Sequence, residues 1–180
     1  GGNELKLSEQ VAKPSGEWIS ETGEIKWDNT DATRAVFRID APTAKGAIGY
    51  IGGRRIELGN VAIEMDSIPG NWAAITLTSL DGEPIEESSR ILLVAAGKAE
   101  NTDWQWNENK TSLGGNWGNA PTRVEGIPAK FTFSNIEKFK IQPLDAYRNP
   151  GDEIPVCRKG KNLSFGIGAQ YKTLWYVISR

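Results

Sequence analysis

The chain has 180 residues, of which 38% are hydrophobic and 24% charged, with a net charge of -2 at pH 7. This length favours one domain with a substantial core, and the composition is that of a soluble globular protein. Interspersed charges argue against a nucleic-acid-binding face and an acidic disordered arm, one cysteine rules out an internal disulfide, the lack of histidine rules out Cys/His zinc sites, and no run is apolar enough to span a membrane.

The first 30 residues are the least regular. Glu17-Trp18-Ile19 and Glu24-Ile25-Lys26-Trp27 read as short strands. They are expected to form an arm across one sheet edge, where it would hide unpaired backbone groups. Ala35, Phe37 and Ile39 then alternate with Arg34, Val36 and Arg38, the period of a strand with one face on a core. Residues 47–51, 54–58 and 61–65 read as a three-strand meander. Its joints are Ile51-Gly52-Gly53-Arg54, a two-residue hairpin signal, and Leu58-Gly59-Asn60-Val61.

Trp72 follows Pro69-Gly70-Asn71, where its ring would cap an end of the fold, and Ala73, Ile75 and Leu77 alternate with polar residues behind it. Leu80-Asp81-Gly82-Glu83 is a turn, and Pro84 suits its exit better than a central strand. Ile91-Leu92-Leu93-Val94-Ala95-Ala96 is apolar on both faces and reads as a central strand.

A long polar segment follows, with no apolar period: Glu100-Asn101-Thr102-Asp103-Trp104-Gln105-Trp106-Asn107-Glu108, then Leu113-Gly114-Gly115-Asn116-Trp117-Gly118. It holds three of the seven tryptophans. Connections in compact domains usually run about 4–6 residues, and much longer ones are often functional or self-packed. Phe131 and Phe133, Phe139 and Ile141, and Leu163, Phe165 and Ile167 are further alternating strands, with a turn at Asn149-Pro150-Gly151-Asp152 between the last two sets. No helical period exceeds about two turns. Irregularly spaced short strands, no fixed repeat and no linker predict one all-β domain over residues 1–180. Its fold is expected to be an antiparallel two-sheet β-sandwich, jelly-roll-like or immunoglobulin-like.

Catalytic signatures are scarce. Without histidine the commonest general base near neutral pH is missing, and no nucleophile elbow, P-loop or dinucleotide fingerprint occurs. Cys157, in a predicted strand, reads as a small buried hydrophobe with no base to activate it. Glu100 with Asp103, and Glu86 with Glu87, are the carboxylates near enough in sequence to act as a glycosidase pair, but nothing in the sequence sets their distance. A lyase would draw on Tyr50, Tyr147, Tyr171 or Tyr176, and no spacing singles one out. No loop has calcium-ligand spacing, so neither metal nor cofactor is expected. Asn109-Lys110-Thr111 and Asn162-Leu163-Ser164 match the glycosylation sequon, a short pattern common by chance.

The tryptophan segment carries the functional expectation. Indole faces stack on the apolar face of a pyranose while amides and acids bond its hydroxyls. The expected carbohydrate-binding residues are Trp104, Trp106 and Trp117 for stacking and Asn101, Asn107 and Glu108 for hydrogen bonding. Trp104 and Trp106 are the sharper choice for the ligand, and Trp117 the expected structural pin. The remaining tryptophans, Trp18, Trp27, Trp72 and Trp175, are expected to pack structurally.

A resemblance accompanies this reading. Gly23-Glu24-Ile25-Lys26-Trp27-Asp28 is followed in order by Ile39-Asp40-Ala41-Pro42-Thr43-Ala44-Lys45-Gly46, Ser79-Leu80-Asp81-Gly82-Glu83-Pro84-Ile85 and Ser88-Ser89-Arg90-Ile91. Ala99-Glu100-Asn101-Thr102, Trp117-Gly118-Asn119-Ala120-Pro121, Val124-Glu125-Gly126, the segment from Ile136 to Leu144, and Tyr171-Lys172-Thr173-Leu174-Trp175-Tyr176 complete the set. In this order the chain resembles the β-sandwich domain at the C-terminal end of large bacterial cellulase-like glycoside hydrolases, which follows a (β/α)-barrel catalytic domain.

The resemblance implies a non-catalytic accessory domain of a secreted enzyme, located outside the cell or in the periplasm although no signal peptide opens this sequence. Its partner would be a polysaccharide or oligosaccharide, and an N-terminal catalytic domain of the same chain, with no nucleic acid or membrane. The alternative is a structural domain that docks on the barrel without glycan affinity. A stand-alone sandwich-fold glycosidase or lyase ranks behind both. No catalytic residue carries over, because the acid pair of such an enzyme belongs to the barrel.

Overall fold

The computed structural model describes residues 16–109 and 111–180 as a two-sheet antiparallel β-sandwich with a small third ribbon. In chain order the strands are β1 (Glu17–Ile19), β2 (Ile25–Asp28), β3 (Val36–Ala41), β4 (Ala44–Tyr50), β5 (Arg55–Leu58), β6 (Val61–Met65), β7 (Trp72–Ser79) and β8 (Arg90–Ala96). They continue with β9 (Ala99–Thr102), β10 (Asn119–Val124), β11 (Ala129–Ser134), β12 (Lys140–Pro143), β13 (Cys157–Lys159), β14 (Asn162–Ile167) and β15 (Trp175–Ser179). One 3-10 turn, Ala169–Tyr171, is the sole helical element among the described residues.

The larger sheet has eight strands in the order β1-β2-β3-β4-β7-β8-β15-β12, and the smaller has five in the order β13-β14-β11-β6-β5. One continuous core joins their inner faces. The period-two alternation explains it. Ile75 and Leu77 of β7, Ile91 and Leu93 of β8, and Tyr176 and Ile178 of β15 point inward and are all at most 2% exposed. From the smaller sheet come Ile63, Phe131, Phe133 and Phe165. Phe131 and Phe165 stack at 5.1 Å, and Phe139 stands edge-on to Phe133 at 5.2 Å and to Phe165 at 5.8 Å. Such offset and edge contacts are the favoured aromatic geometries. Burying each ring also removes a large apolar area from water, which is the main favourable term in this fold.

Several expectations from the sequence change. Residues 17–19 and 25–28 form a hairpin that adds two strands to the edge of the larger sheet, so this part of the arm extends the sheet instead of lying across it. The rest of the arm, residues 1–15, lies outside the described residues. In β3 the phase is the reverse of that expected: Val36 is buried, whereas Phe37 and Ile39 point to the outer face and are half-buried.

Residues 51–54 do not make a hairpin. β4 pairs with β3 and β7, β5 pairs with β6 in the other sheet, and the Gly52-Gly53 segment is the corner where the chain changes sheet. There the Gly52 amide donates to Asn71 and the Gly53 amide to Met65. A Cβ at Gly52 would lie 2.3 Å from Asn71 Oδ1, so the corner has room only for glycine. The Leu58-Gly59-Asn60-Val61 hairpin is present between β5 and β6. Cys157, expected to be buried, is exposed on β13, because that strand is the edge of the smaller sheet and packs nothing against this residue.

Candidate functional site

The polar segment after β8 is built on a ribbon of its own. β9 and β10 pair antiparallel, with Ala99 opposite Val124, Glu100 opposite Arg123 and Asn101 opposite Thr122, and neither strand joins the larger sheets. Residues 103–118 form the connection at its tip. The register shifts between Asn119 and Thr122, and this irregularity turns the chain back into the loop. Asp103 and Gly118 both have left-handed backbones, φ 60° and 70°. A Cβ at Gly118 would sit 2.2 Å from the Thr102 carbonyl oxygen, so close passage of the two strands requires glycine.

The loop closes on its own groups. Asn101 Nδ2 donates to the Trp117 carbonyl at 2.9 Å, and Asn101 Oδ1 accepts from the Thr122 hydroxyl at 2.7 Å. Asn107 Oδ1 accepts from the Thr111 amide at 2.8 Å, and its Nδ2 donates to the Thr111 hydroxyl at 3.0 Å. The Asn107 amide donates to Ser112 and the Asn116 amide to Leu113, whose side chain is buried beneath the turn. Asn101 and Asn107, expected from the sequence to meet a ligand, therefore shape the loop. Glu108 is exposed at its outer end.

The three rings come together. Trp104 lies at the centre, edge-to-face with Trp106 at 5.9 Å and with Trp117 at 6.3 Å. It is half-buried, while Trp106 is 46% exposed and Trp117 61% exposed. Trp117, expected as the structural pin, is the most open of the three rings, and Trp104, which meets both of the others edge to face, is the least open. The Trp104 indole N–H is buried and has no hydrogen-bond partner among the described residues. Native structures hold few such donors, and each costs about 1–3 kcal/mol.

Two of the acids are engaged within the fold. Glu100 forms an ion pair with Lys98. Asp81, in the β7–β8 connection, accepts from the hydroxyls of Ser79 and Ser88 at 2.8 Å each and of Ser89 at 2.7 Å, and from the Ser89 amide at 2.7 Å. The Ser89, Ser88 and Ser79 hydroxyls, in that order of effect, hold its carboxyl well below the usual carboxylate range. The same side-chain bonds tie the connection together, a structural use of an acid. Among the described residues no group of three or more Cys, Asp or Glu is placed to hold a metal ion, and no helix is long and apolar enough to cross a membrane.

A second aromatic surface lies on the outer face of the larger sheet, formed by the four tryptophans expected to pack structurally. Across its strands Trp18, Trp27, Phe37, Ile48, Ala74 and Ala96 stand in one register row. The next row carries Ile25, Ile39, Gly46, Thr76, Val94 and Trp175, and Tyr50 pairs with Trp72 beyond the first. Trp18, Trp27, Trp72 and Trp175 are each 38–50% exposed. A signal for this face was present in the sequence: the run Ile91–Ala96 is apolar at both parities, and Phe37 and Ile39 are apolar on the parity opposite to Val36.

A concavity of about 430 Å³ lies at the base of the ribbon, lined by Val124, Gly126, Leu144, Lys172 and Trp175 among others, away from the three-ring cluster at the tip. No protein-family model, curated protein or solved structure matches the chain.

Proposed function

We propose that this chain is a non-catalytic accessory domain of a secreted bacterial glycoside hydrolase, and that it binds polysaccharide at the tip of the β9–β10 ribbon. The observation that carries the reading is the ring cluster: two exposed indoles, Trp106 and Trp117, held edge-on to a half-buried third, Trp104. Rings fixed this way offer apolar faces to a pyranose at little entropic cost, because their positions are set before binding. Glu108, exposed beside them, accepts from sugar hydroxyls. Asn101 and Asn107 act by positioning, through their bonds inside the loop. The enzyme class and the location outside the cell or in the periplasm rest on the ordered resemblance.

Affinity electrophoresis and isothermal titration against β-glucans, mannans and xylans test the proposal. The expected result is retardation by at least one glycan, abolished in the double variant Trp106→Ala, Trp117→Ala. Absence of binding to every glycan in the panel overturns it.

A second reading makes the domain structural, docked on a catalytic domain of the same chain with no glycan affinity. It draws on the apolar outer face of the larger sheet. It predicts no glycan response and an aromatic face that becomes protected from quenchers when the catalytic domain is present.

A further inference from the structure

The concavity at the base of the β9–β10 ribbon has walls tied in place by the fold. On one side the ribbon passes close to the 3-10 turn. A Cβ at Gly126 would lie 2.6 Å from Ala169 Cα, so the approach requires glycine. On the other side Thr173 fastens Leu144 to the start of β15. Its hydroxyl donates to the Leu144 carbonyl at 2.6 Å and accepts from the Trp175 amide at 3.1 Å. The Leu144 amide donates to the Trp175 carbonyl at 2.8 Å. The enclosed space of about 430 Å³ falls in the usual range for small-ligand sites, about 300–1,000 Å³.

Its lining is mostly apolar, with Trp175 42% and Val124 45% exposed. Lys172 is the one charged residue of the lining, and its ammonium has no hydrogen-bond or ion-pair partner among the described residues. The acids nearest to it in the lining segments are committed elsewhere. Glu125 Oε2 accepts from the Lys98 amide at 3.3 Å. Asp145, which shares a neighbouring hollow with Lys172, accepts from the amides of Tyr147 and Asn149 at 2.8 Å each and from Asn149 Nδ2 at 3.0 Å. The Lys172 backbone is left-handed, φ 52°, at the end of the 3-10 turn, a position that glycine or asparagine usually holds.

We infer that this concavity binds a uronic acid residue of an acidic polysaccharide, with the pyranose face on the Trp175 indole and the carboxylate on the Lys172 ammonium. An apolar ligand would strip water from the ammonium and give nothing in return, and a neutral sugar would leave it without a counter-charge. A pyranose that carries one carboxylate meets both the indole and the single cation. The choice of a sugar rests on the glycan reading above, while the site itself is separate from the three rings. Ala99–Thr102 of β9 stands between base and tip, about 10 Å at about 3.3 Å per residue, so one glycan chain reaches both.

Isothermal titration of the 180-residue chain with glucuronoxylan, and with the same polymer after its carboxyl groups are reduced to alcohols, tests the inference. The double variant Trp106→Ala, Trp117→Ala is measured alongside, so that the ribbon tip does not contribute. In both proteins the expected result is binding about fivefold tighter to the charged polymer. That preference should shrink as salt rises from about 0.02 M to about 0.5 M. Lys172→Gln should abolish the preference and Lys172→Arg should keep it, both with circular dichroism unchanged. Trp175→Ala should weaken binding of both polymers in the tip-deficient background. Amide chemical shifts that move on addition of a glucuronoxylan oligosaccharide should centre on Gly126 and Lys172. Equal affinity for the charged and reduced polymers overturns the inference, as does a preference that survives in Lys172→Gln. Tighter binding of a sulfated galactan than of glucuronoxylan overturns the carboxylate assignment. Binding of neutral glycan by the tip with no preference for charge rejects this site alone, and a preference for charge that persists when neutral glycans fail to bind rejects the tip alone.

Discussion

Trp104 and Trp117 meet edge to face, with ring centroids 6.3 Å apart and planes at 87°, and they divide their exposure unequally. Trp117 turns 61% of its surface to solvent, while Trp104 is covered and keeps an unpaired indole N–H. One ring is therefore a free face and the other its support. Trp117→Ala is expected to reduce glycan affinity about tenfold, or about 1.4 kcal/mol, with little change in stability. Trp104→Ala removes the support. It should abolish binding and open the loop to limited proteolysis while the sandwich stays folded. Equal losses of affinity with no change in proteolysis would reject this division.

Asn101 ties the two sides of the ribbon together through the Trp117 carbonyl and the Thr122 hydroxyl. Asn101→Ala removes both bonds, at about 1 kcal/mol each by the usual worth of a protein hydrogen bond. Glycan affinity is expected to fall although every ring remains. Hydrogen exchange at the amides of residues 102–106 and 117–119 should accelerate. Unchanged exchange would show that the loop holds its shape without Asn101.

Asp81 sets an acid limit on stability. Hydrogen bonds from the Ser89, Ser88 and Ser79 hydroxyls lower its folded-state pKa below the ordinary value of 3.8. Its contribution is therefore fully present above about pH 4 and is lost as pH falls through the lowered value. Asp81→Asn should lower the melting temperature at neutral pH and flatten the dependence of stability on pH below about pH 4. Parallel pH profiles for the two proteins would count against the serine cluster.

Phe165 stands in the aromatic core, stacked on Phe131 and Phe133 and edge-on to Phe139. Truncation to alanine costs about 3–5 kcal/mol through lost contacts and the cavity left behind. For a chain of this length that lowers Tm by roughly 10 °C in a calorimetric scan. A change of only a few degrees would mean that the core collapses readily around the gap.

Cys157 is exposed on the edge strand β13. A thiol reagent such as DTNB should label it fully in the native protein without denaturant. Cys157→Ser should leave the melting temperature nearly unchanged, since no core packing is lost. Protection from labelling would imply that something covers this edge in solution.

Much of the sandwich is readable in the chain itself, because a strand with one buried face writes a period of two. Phe131 with Phe133, Ile75 with Leu77, and Leu163 with Phe165 and Ile167 announce both their strands and their inward face. Leu58-Gly59-Asn60-Val61 announces its hairpin for an equally local reason. Ile51-Gly52-Gly53-Arg54 carries a similar signal and yet turns a corner. Two glycines permit several tight paths, and the choice among them comes from Asn71 and Met65, distant in sequence.

What the sequence by itself determined was the set of short strands, the absence of histidine, and the gathering of three tryptophans in one polar connection. Only the tertiary structure decided which ring of the three is open and which faces of the strands meet water. Alternation tells that two parities differ, but where both are apolar, as in Val36 with Phe37 or Leu92 with Leu93, it has no sign. Burial there is assigned by the second sheet, which covers one side of the larger sheet and leaves Trp18, Trp27, Trp72 and Trp175 on the other.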